Sequence, residues 1–416
     1  MKVAIVLHLY QPPVQEEGIF RQIASECYLP LIRLLKSRRN HKFTLDIPLS
    51  LLEQMEKYDY KEWISDVRSL FESERIELMG SAAYHPLLTK IPQQLVEEQI
   101  SLNEYGLGYY FGSRHGFEGE PSIMIKNIQG FFPPELAVNS ELANTLSSFG
   151  YKWFIAEKNS LPKNTDPNAC IFQLKDNDIL VVCRDRTLSN KISFKRDHTM
   201  NDIYSYLEGK KTSEYPVVIC LDAELFGHHY RDGIYVLENM LSKIEELSSK
   251  VETVSELVEE YEYSEINEIK ESGWGASDEE FSNGDIYPFW INNRNEIQKE
   301  LWKLQDLMIK EYISNYKTIN TTEFQILPIW KLAELKSLND SELQYEINKY
   351  ILLHKYIHSD KFWWVSKREI TGKMLYDICI VEKSLVQASE LLSLFTKDEI
   401  CTEAESKIDH IRSLLK

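Results

Sequence analysis

The chain is short of positive charge. It carries 47 Lys and Arg against 65 Asp and Glu, a formal net charge of −18 over 416 residues. Phosphate backbones and anionic lipid surfaces are bound through basic stripes, so this balance argues against a nucleic-acid or membrane partner and sits more easily with a neutral or cationic ligand. Cysteine is scarce as well. The six, Cys27, Cys170, Cys183, Cys220, Cys379 and Cys401, form no Cys-x-x-Cys pair, which removes a zinc-ribbon or thioredoxin reading. Cys183 and Cys220 lie in apolar runs and read as buried free thiols. There is no run of eighteen apolar residues to span a membrane. The opening "MKVAIVLHLYQPP" is too soon interrupted for a signal peptide, so a reducing, cytoplasmic setting is expected. No Gly-x-Gly-x-x-Gly follows an apolar run, and there is neither a phosphate-binding loop nor a Gly-x-Ser-x-Gly elbow.

What is present is a core and an alternation. Hydrophobic residues make up 43 % and aromatics 12 %, enough for a large folded unit rather than a disordered chain. Short apolar runs alternate with helical patterns: "KVAIVLHLY", "FTLDI", "RIELMG", "KWFIAE", "ILVVCRD", "PVVICLD" and the start of "VETVSELVEEYEY". Strands separated by helices pair in parallel through right-handed crossovers, and about seven such units predict an α/β fold, a distorted (β/α)7 TIM-like barrel. A doubly wound open sheet is the main alternative. Ser140 and Ser255 are placed to cap the helices that follow them, and Gly150 to end the first. From about Asn295 the pattern turns helical without strands, ending in a helix over roughly Tyr376–Phe395. The expected division is a catalytic barrel over 1–271 and a helical region over 272–416 packing on the active-site face.

Two stretches place acids where barrel chemistry occurs. "VVICLDAELFGHHY" ends a buried run on Asp222, followed by Glu224, His228 and His229. "GFFPPELAVNSELANTL" sets Glu135 after a stiff Pro pair and before a helix. In parallel β/α folds the strand-to-helix loops converge at the carboxyl ends of the strands. Two carboxylates there suit glycosidic bond cleavage, provided their surroundings separate their proton affinities. The run before Asp222 is expected to desolvate that carboxyl and raise its pKa. Tyr10, Tyr84, Trp274, Tyr287, Phe289, Trp290, Trp363 and Trp364 stand near turns or segment ends, where an aromatic plane can stack on a sugar or simply pack the core. His8 closes the first strand and His85 follows "MGSAAY"; either can bind a hydroxyl or satisfy loop carbonyls. His354 and His358, four apart on a helix, have metal-clip spacing but read as a packed face.

Five ordered segments resemble glycoside hydrolase family 57, which holds α-amylases, 4-α-glucanotransferases and branching enzymes. They are "HLYQPP" from His8, "MGSAAYHPLL" from Met79, "FFPPELAV" from Phe131, "LDAELFGHHY" from Leu221 and "GWGASDEEF" from Gly273. The resemblance implies a distorted seven-stranded barrel and retaining cleavage or transfer at α-glucosidic bonds. It implies a nucleophile at Glu135 and a general acid/base at Asp222, with no cofactor and no catalytic metal. The partner implied is an α-glucan or oligosaccharide. Substrate contacts are expected from His8, Tyr10, Gln11 and His85, from Glu224 and His228, from Trp274, Asp278 and Trp290, and from Asp360, Trp363 and Trp364 in "SDKFWW". The chain departs from the pattern at Tyr10, which stands where the family commonly has a second His, and at "DEEF", where an aromatic often follows the Asp. Two other readings compete: a metal-dependent polysaccharide deacetylase with His8, His85 and Asp222 around a cation, and a non-catalytic carbohydrate-binding protein.

Overall fold

Apolar runs that end on a polar residue become the strands of a barrel. A computed structural model describes residues 1–112, 128–175, 177–194, 199–314, 329–334, 341–370, 373–395 and 399–416. Its strands are β1 (Val3–His8), β2 (Phe43–Asp46), β3 (Ile76–Met79), β4 (Gly130–Phe131), β5 (Trp153–Ala156), β6 (Ile171–Leu174), β7 (Leu180–Cys183), β8 (Val217–Asp222), β9 (Val251–Glu252) and β10 (Ser264–Ile266). One sheet runs β3-β2-β1-β8, and β9 joins it at the start of β1; the other runs β10-β6-β7-β5-β4. The sheets meet at two narrow seams. Gly80 bridges Phe131 on one side, and on the other the Asp185 N–H donates to the Val218 carbonyl at 2.6 Å. Strands β1, β2, β3, β4, β5, β7 and β8 thus curve into a distorted (β/α)7 barrel with helices outside, the architecture expected from the sequence.

The details differ where the sequence signal is short. β4 has two residues, too few for a periodic pattern, yet it carries the barrel across one seam. β6 runs antiparallel to β7 because the few residues between them can make a turn but no crossover helix. "VET" supplies β9, which pairs with Val3 and Ala4. Asn139, not Ser140, caps the next helix: its side chain accepts from the Leu142 N–H at 2.8 Å, while Ser140 donates to the Ile269 carbonyl. Likewise Thr253 caps Val254–Glu260 in a capping box with Glu256, and Ser255 bonds Glu77 inside the barrel. Gly150 does end its helix, at φ 90°.

The C-terminal part holds the helices Glu296–Ser314, Ser341–Tyr356, Ile378–Leu392 and Glu399–Leu415. A hairpin of β11 (Glu369–Ile370) and β12 (Lys373–Met374) interrupts the expected strand-free region. The predicted Tyr376–Phe395 helix starts later, because Asp377 caps it by accepting from the Cys379 N–H.

Gly227 fixes how the loop after β8 meets the first helical layer. Its φ is 132°, and a Cβ there would lie 1.9 Å from the Glu26 carbonyl oxygen. Strain and clash act together, so Gly227→Ala is expected to cost about 2–4 kcal/mol. Thermal unfolding checks this; an unchanged midpoint would mean the Glu26 backbone yields freely.

Candidate active site

The parallel register sets three polar side chains in a row. His8 lies opposite Asp46 on β2 and opposite Asp222 on β8, all at the carboxyl ends of their strands. His8 Nδ1 and Asp46 Oδ2 are 2.6 Å apart and buried. Burial alone would lower the His8 pKa, but the Asp46 hydrogen bond and the charges of Asp46, Asp222 and Glu224 outweigh it and lift it to about 9. Burial pushes Asp46 up to about 6 against the pull of His8. The ordering makes His8 the proton's owner, a fixed cation beside the acids.

Glu135 reaches the same place from β4. The Pro pair leads into a single 3-10 turn, Pro134–Leu136, in which Glu135 takes φ 60° and Leu136 φ 47°. Non-glycine residues rarely occupy this left-handed region, and such strain collects at functional sites. Trp274 holds the residue twice, its Nε1–H donating to Oε2 at 2.8 Å and its backbone N–H to the Glu135 carbonyl at 3.0 Å. On the other oxygen, Ser359 Oγ donates to Oε1 at 3.4 Å and His85 Nδ1 is 3.6 Å away. Burial raises the Glu135 pKa to about 8; the Trp274 bond opposes this, and the charges of Asp360 and Asp222 add to it. The sequence reading put the desolvated carboxyl at Asp222. Asp222 and Glu135 both keep part of their surface, and Glu135 is packed under Trp274, Ser359 and His85.

A second layer fixes these groups. Residues Ala24–Tyr28 form one π turn, which points Tyr28 at the β8 loop, where its hydroxyl donates to Glu224 Oε1. Gln11 Nε2 and the Tyr10 N–H, each at 3.3 Å, donate to the same oxygen. Burial, with the Asp222 charge, pushes Glu224 up to about 7. Tyr10 turns its ring onto His85, with centroids 4.1 Å apart, and donates its hydroxyl to Asp360 Oδ2 at 2.6 Å. His358 also bonds Asp360 Oδ2, at 3.1 Å, and reaches Ser384 through its other nitrogen. His8 lies over Phe132 at 4.5 Å, extending the stacked floor. Burial and the His8 cation hold His85 down to about 3, so its ring is neutral. Arg184, at the end of β7, pairs with Glu157 and lies 5.4 Å from the Trp274 ring.

The structure therefore brings together Glu135, Asp222, His8, Tyr10, Gln11, His85, Glu224, Trp274 and Asp360. It does not bring all the expected contacts. His228 bonds Glu26 at 2.8 Å on the outer helical layer, because Gly227 turns the chain outward. Asp278 is a surface residue, 91 % exposed, and pairs with Arg186. Trp290 has no exposed surface; it packs behind Phe289 and Trp363, which stack at 4.5 Å. Trp363 and Trp364 are half-buried. Tyr84 and Tyr287 are core residues bonded to Glu53 and Thr89. His354 faces Glu98 and Gln99 while His358 faces Asp360, so the pair makes divergent packing bonds. Asp46, Tyr28, Ser359 and His358 were missed. Asp46 had a signal, the same apolar run ending on an acid, and Ser359 stands at the head of "SDKFWW".

Among the described residues, no group of three or more His, Cys, Asp or Glu side chains could hold a metal ion. His8 and His85 instead stack face to face at 4.9 Å. The described cysteines are all free, as expected for Cys183 and Cys220. No helix among the described residues is long and apolar enough to cross a membrane.

A β/α barrel with paired acids over an aromatic floor at its strand ends has the form of a carbohydrate-cleaving enzyme. The sequence profile of Glycosyl hydrolase family 57 matches residues 6–270, and the chain belongs to that family. No curated protein matches it in sequence. Among solved structures, a GH57-type branching enzyme from Pyrococcus horikoshii superposes with TM-score 0.69 at 16 % identity, covering 98 % of this chain and 94 % of that one. The α-amylase AmyC from Thermotoga maritima gives 0.64 at 14 % identity, covering 100 % and 99 %. A 4-α-glucanotransferase from Thermococcus litoralis gives 0.66 at 15 % identity, covering 96 % of this chain and 59 % of that one. At these identities the likeness is one of fold.

Proposed function

We propose that the protein is a retaining enzyme that cleaves or transfers α-glucosidic bonds of maltooligosaccharides or α-glucans. In this reading residues 1–271 are the catalytic barrel and 272–416 pack over its active-site face. Glu135 is the nucleophile and Asp222 the general acid/base. The observation that carries it is the setting of Glu135: a strained carboxylate, gripped on both oxygens and sharing one electrostatic field with Asp222 and the His8 cation. Membership of family 57 and the fold shared with a branching enzyme, a glucanotransferase and an amylase support the substrate class.

The carboxylate of Glu135 attacks the anomeric carbon as its bond to the leaving oxygen breaks, and Asp222 gives that oxygen a proton. Asp222 then takes a proton from water or from a sugar hydroxyl, whose oxygen displaces Glu135 and restores the anomer. Trp274 and Ser359 keep the attacking oxygens aimed, which is where positioning lowers the barrier. His8 favours the ionised form of Glu135 electrostatically without touching it.

Two outcomes follow. Incubation with maltoheptaose is expected to change product lengths over time: shorter products alone mean that water resolves the intermediate, longer ones mean that a sugar does. No change at all would sink the reading. Secondly, kcat/KM is expected to fall as the pH climbs through about 8, because Glu135 and Asp222 must share one proton, on Asp222 when Glu135 attacks, and above that limb the pair has none left for the leaving oxygen. Asp46→Asn removes the charge that keeps His8 protonated, and so should move this limb to higher pH. A limb that stays put would detach Glu135 from it.

A further inference from the structure

One side of the site is stitched shut. The loop after β3 is tied to the C-terminal part by the Ser359 N–H, which donates to the His85 carbonyl at 3.1 Å, and by His85 Nδ1 at 3.2 Å from Ser359 Oγ. The loop after β1 is tied by Tyr10 to Asp360, and further out by the Lys383–Glu16 ion pair at 3.0 Å. The helix after β2 is tied by Lys355 to Glu53 at 2.9 Å. These contacts run along the β1–β3 side of Glu135. The flank beside Trp274 is closed as well: Arg368 pairs with Glu280 and lies 4.6 Å over Phe289, which stacks on Trp363. Asp222 sits on β8, and none of these ties starts from that strand.

We propose that Tyr10 and Asp360 form the end wall of a blind site, so that the enzyme works from the non-reducing end of a glucan and not from its interior. This rests on the retaining α-glucan reading above. The general acid must face the leaving oxygen, so Asp222 marks the side from which the rest of the chain leaves. Asp360 is the third acid in the field of Glu135. It belongs to the closed side and faces the far edge of the ring that is attacked. Its Oδ2 is held by both Tyr10 and His358, whereas Oδ1 makes no hydrogen bond among the described residues and is not sealed from solvent. A chain end offers a free hydroxyl donor at that edge; an interior residue offers a further sugar, which would have to pass through the Tyr10 ring. The ring is buried and stacked on His85, so it is not displaced by a small side-chain swing.

The test compares p-nitrophenyl maltoheptaoside with the same compound carrying a 4,6-O-ethylidene block at its non-reducing end, with products separated by length. The free-ended substrate is expected to be turned over, and the blocked one at least about 100-fold more slowly, since a site built for a hydroxyl rejects its capped form. Equal rates would overturn the end wall while leaving the α-glucan reading intact. Turnover of neither overturns that reading and this inference with it. Tyr10→Ala is expected to narrow the difference by about tenfold or more, and Tyr10→Phe, which keeps the ring, to preserve it. An unnarrowed difference in a folded Tyr10→Ala enzyme removes Tyr10 from the wall. Should Tyr10→Ala fail to fold, a difference lost in Tyr10→Phe would equally overturn the role of the ring.

Discussion

Glu135→Gln is expected to lower turnover of maltoheptaose by about four orders of magnitude or more, and to make the protein more stable as the pH rises. The first effect follows from chemistry, since an amide cannot form the glycosyl ester. The second follows from linkage. Glu135 has a folded-state pKa of about 8, above its ordinary 4.5. The native state therefore keeps a proton that the unfolded chain gives up. The stability this provides is full below about 4.5 and is lost as the pH climbs through 8. With about 1.4 kcal/mol per unit, and with the side chain still partly wet, the penalty at alkaline pH is of the order of 2–4 kcal/mol. A glutamine has no such penalty. Unfolding curves of both proteins at pH 5 and pH 9 should diverge, with the variant gaining at the higher pH. Parallel curves would mean that Glu135 is not buried as described.

Asp222→Asn is expected to lose about 10²–10⁴-fold on maltoheptaose but far less on α-glucosyl fluoride. Fluoride leaves without a proton, so the first step no longer needs the acid. Added azide, a nucleophile that needs no base, should then accelerate the second step and yield a glycosyl azide of the original anomeric configuration. Glu135→Gln should gain nothing from either change. If the two variants behave the other way round, the roles of the two acids are exchanged.

How far the sequence reaches is clearest at β1 and β8. Both are continuous apolar runs ending on a polar residue, and a strand buried on both faces needs no more signal than that. Asp46 has the same signature in "FTLDI". Its role is invisible there because it depends on a register that sets it beside His8, and register is a non-local property. β4 escapes any periodicity argument by its length, though Glu135, just beyond it, was found from the Pro pair and the family pattern. His228 was drawn in by adjacency in "LFGHHY", and one backbone angle at Gly227 sends it elsewhere. Trp290 shows the limit of aromatic counting: a ring near a turn is a platform or a core residue according to what covers it. Ser359 and His358 lie more than 200 residues from Glu135, and nothing in "SDKFWW" or in the His354 and His358 spacing tells that the fold brings them to it.

The π turn at Ala24–Tyr28 has one more consequence. Its wide bond, from the Leu29 N–H back to the Ala24 carbonyl, accommodates one residue beyond regular α-helical spacing. Deleting a single residue there would make a better helix and a worse enzyme. Everything downstream would rotate by about 100°, and Tyr28 would swing off the β8 loop. The segment works as a phase adjuster, and its irregularity is the information it carries.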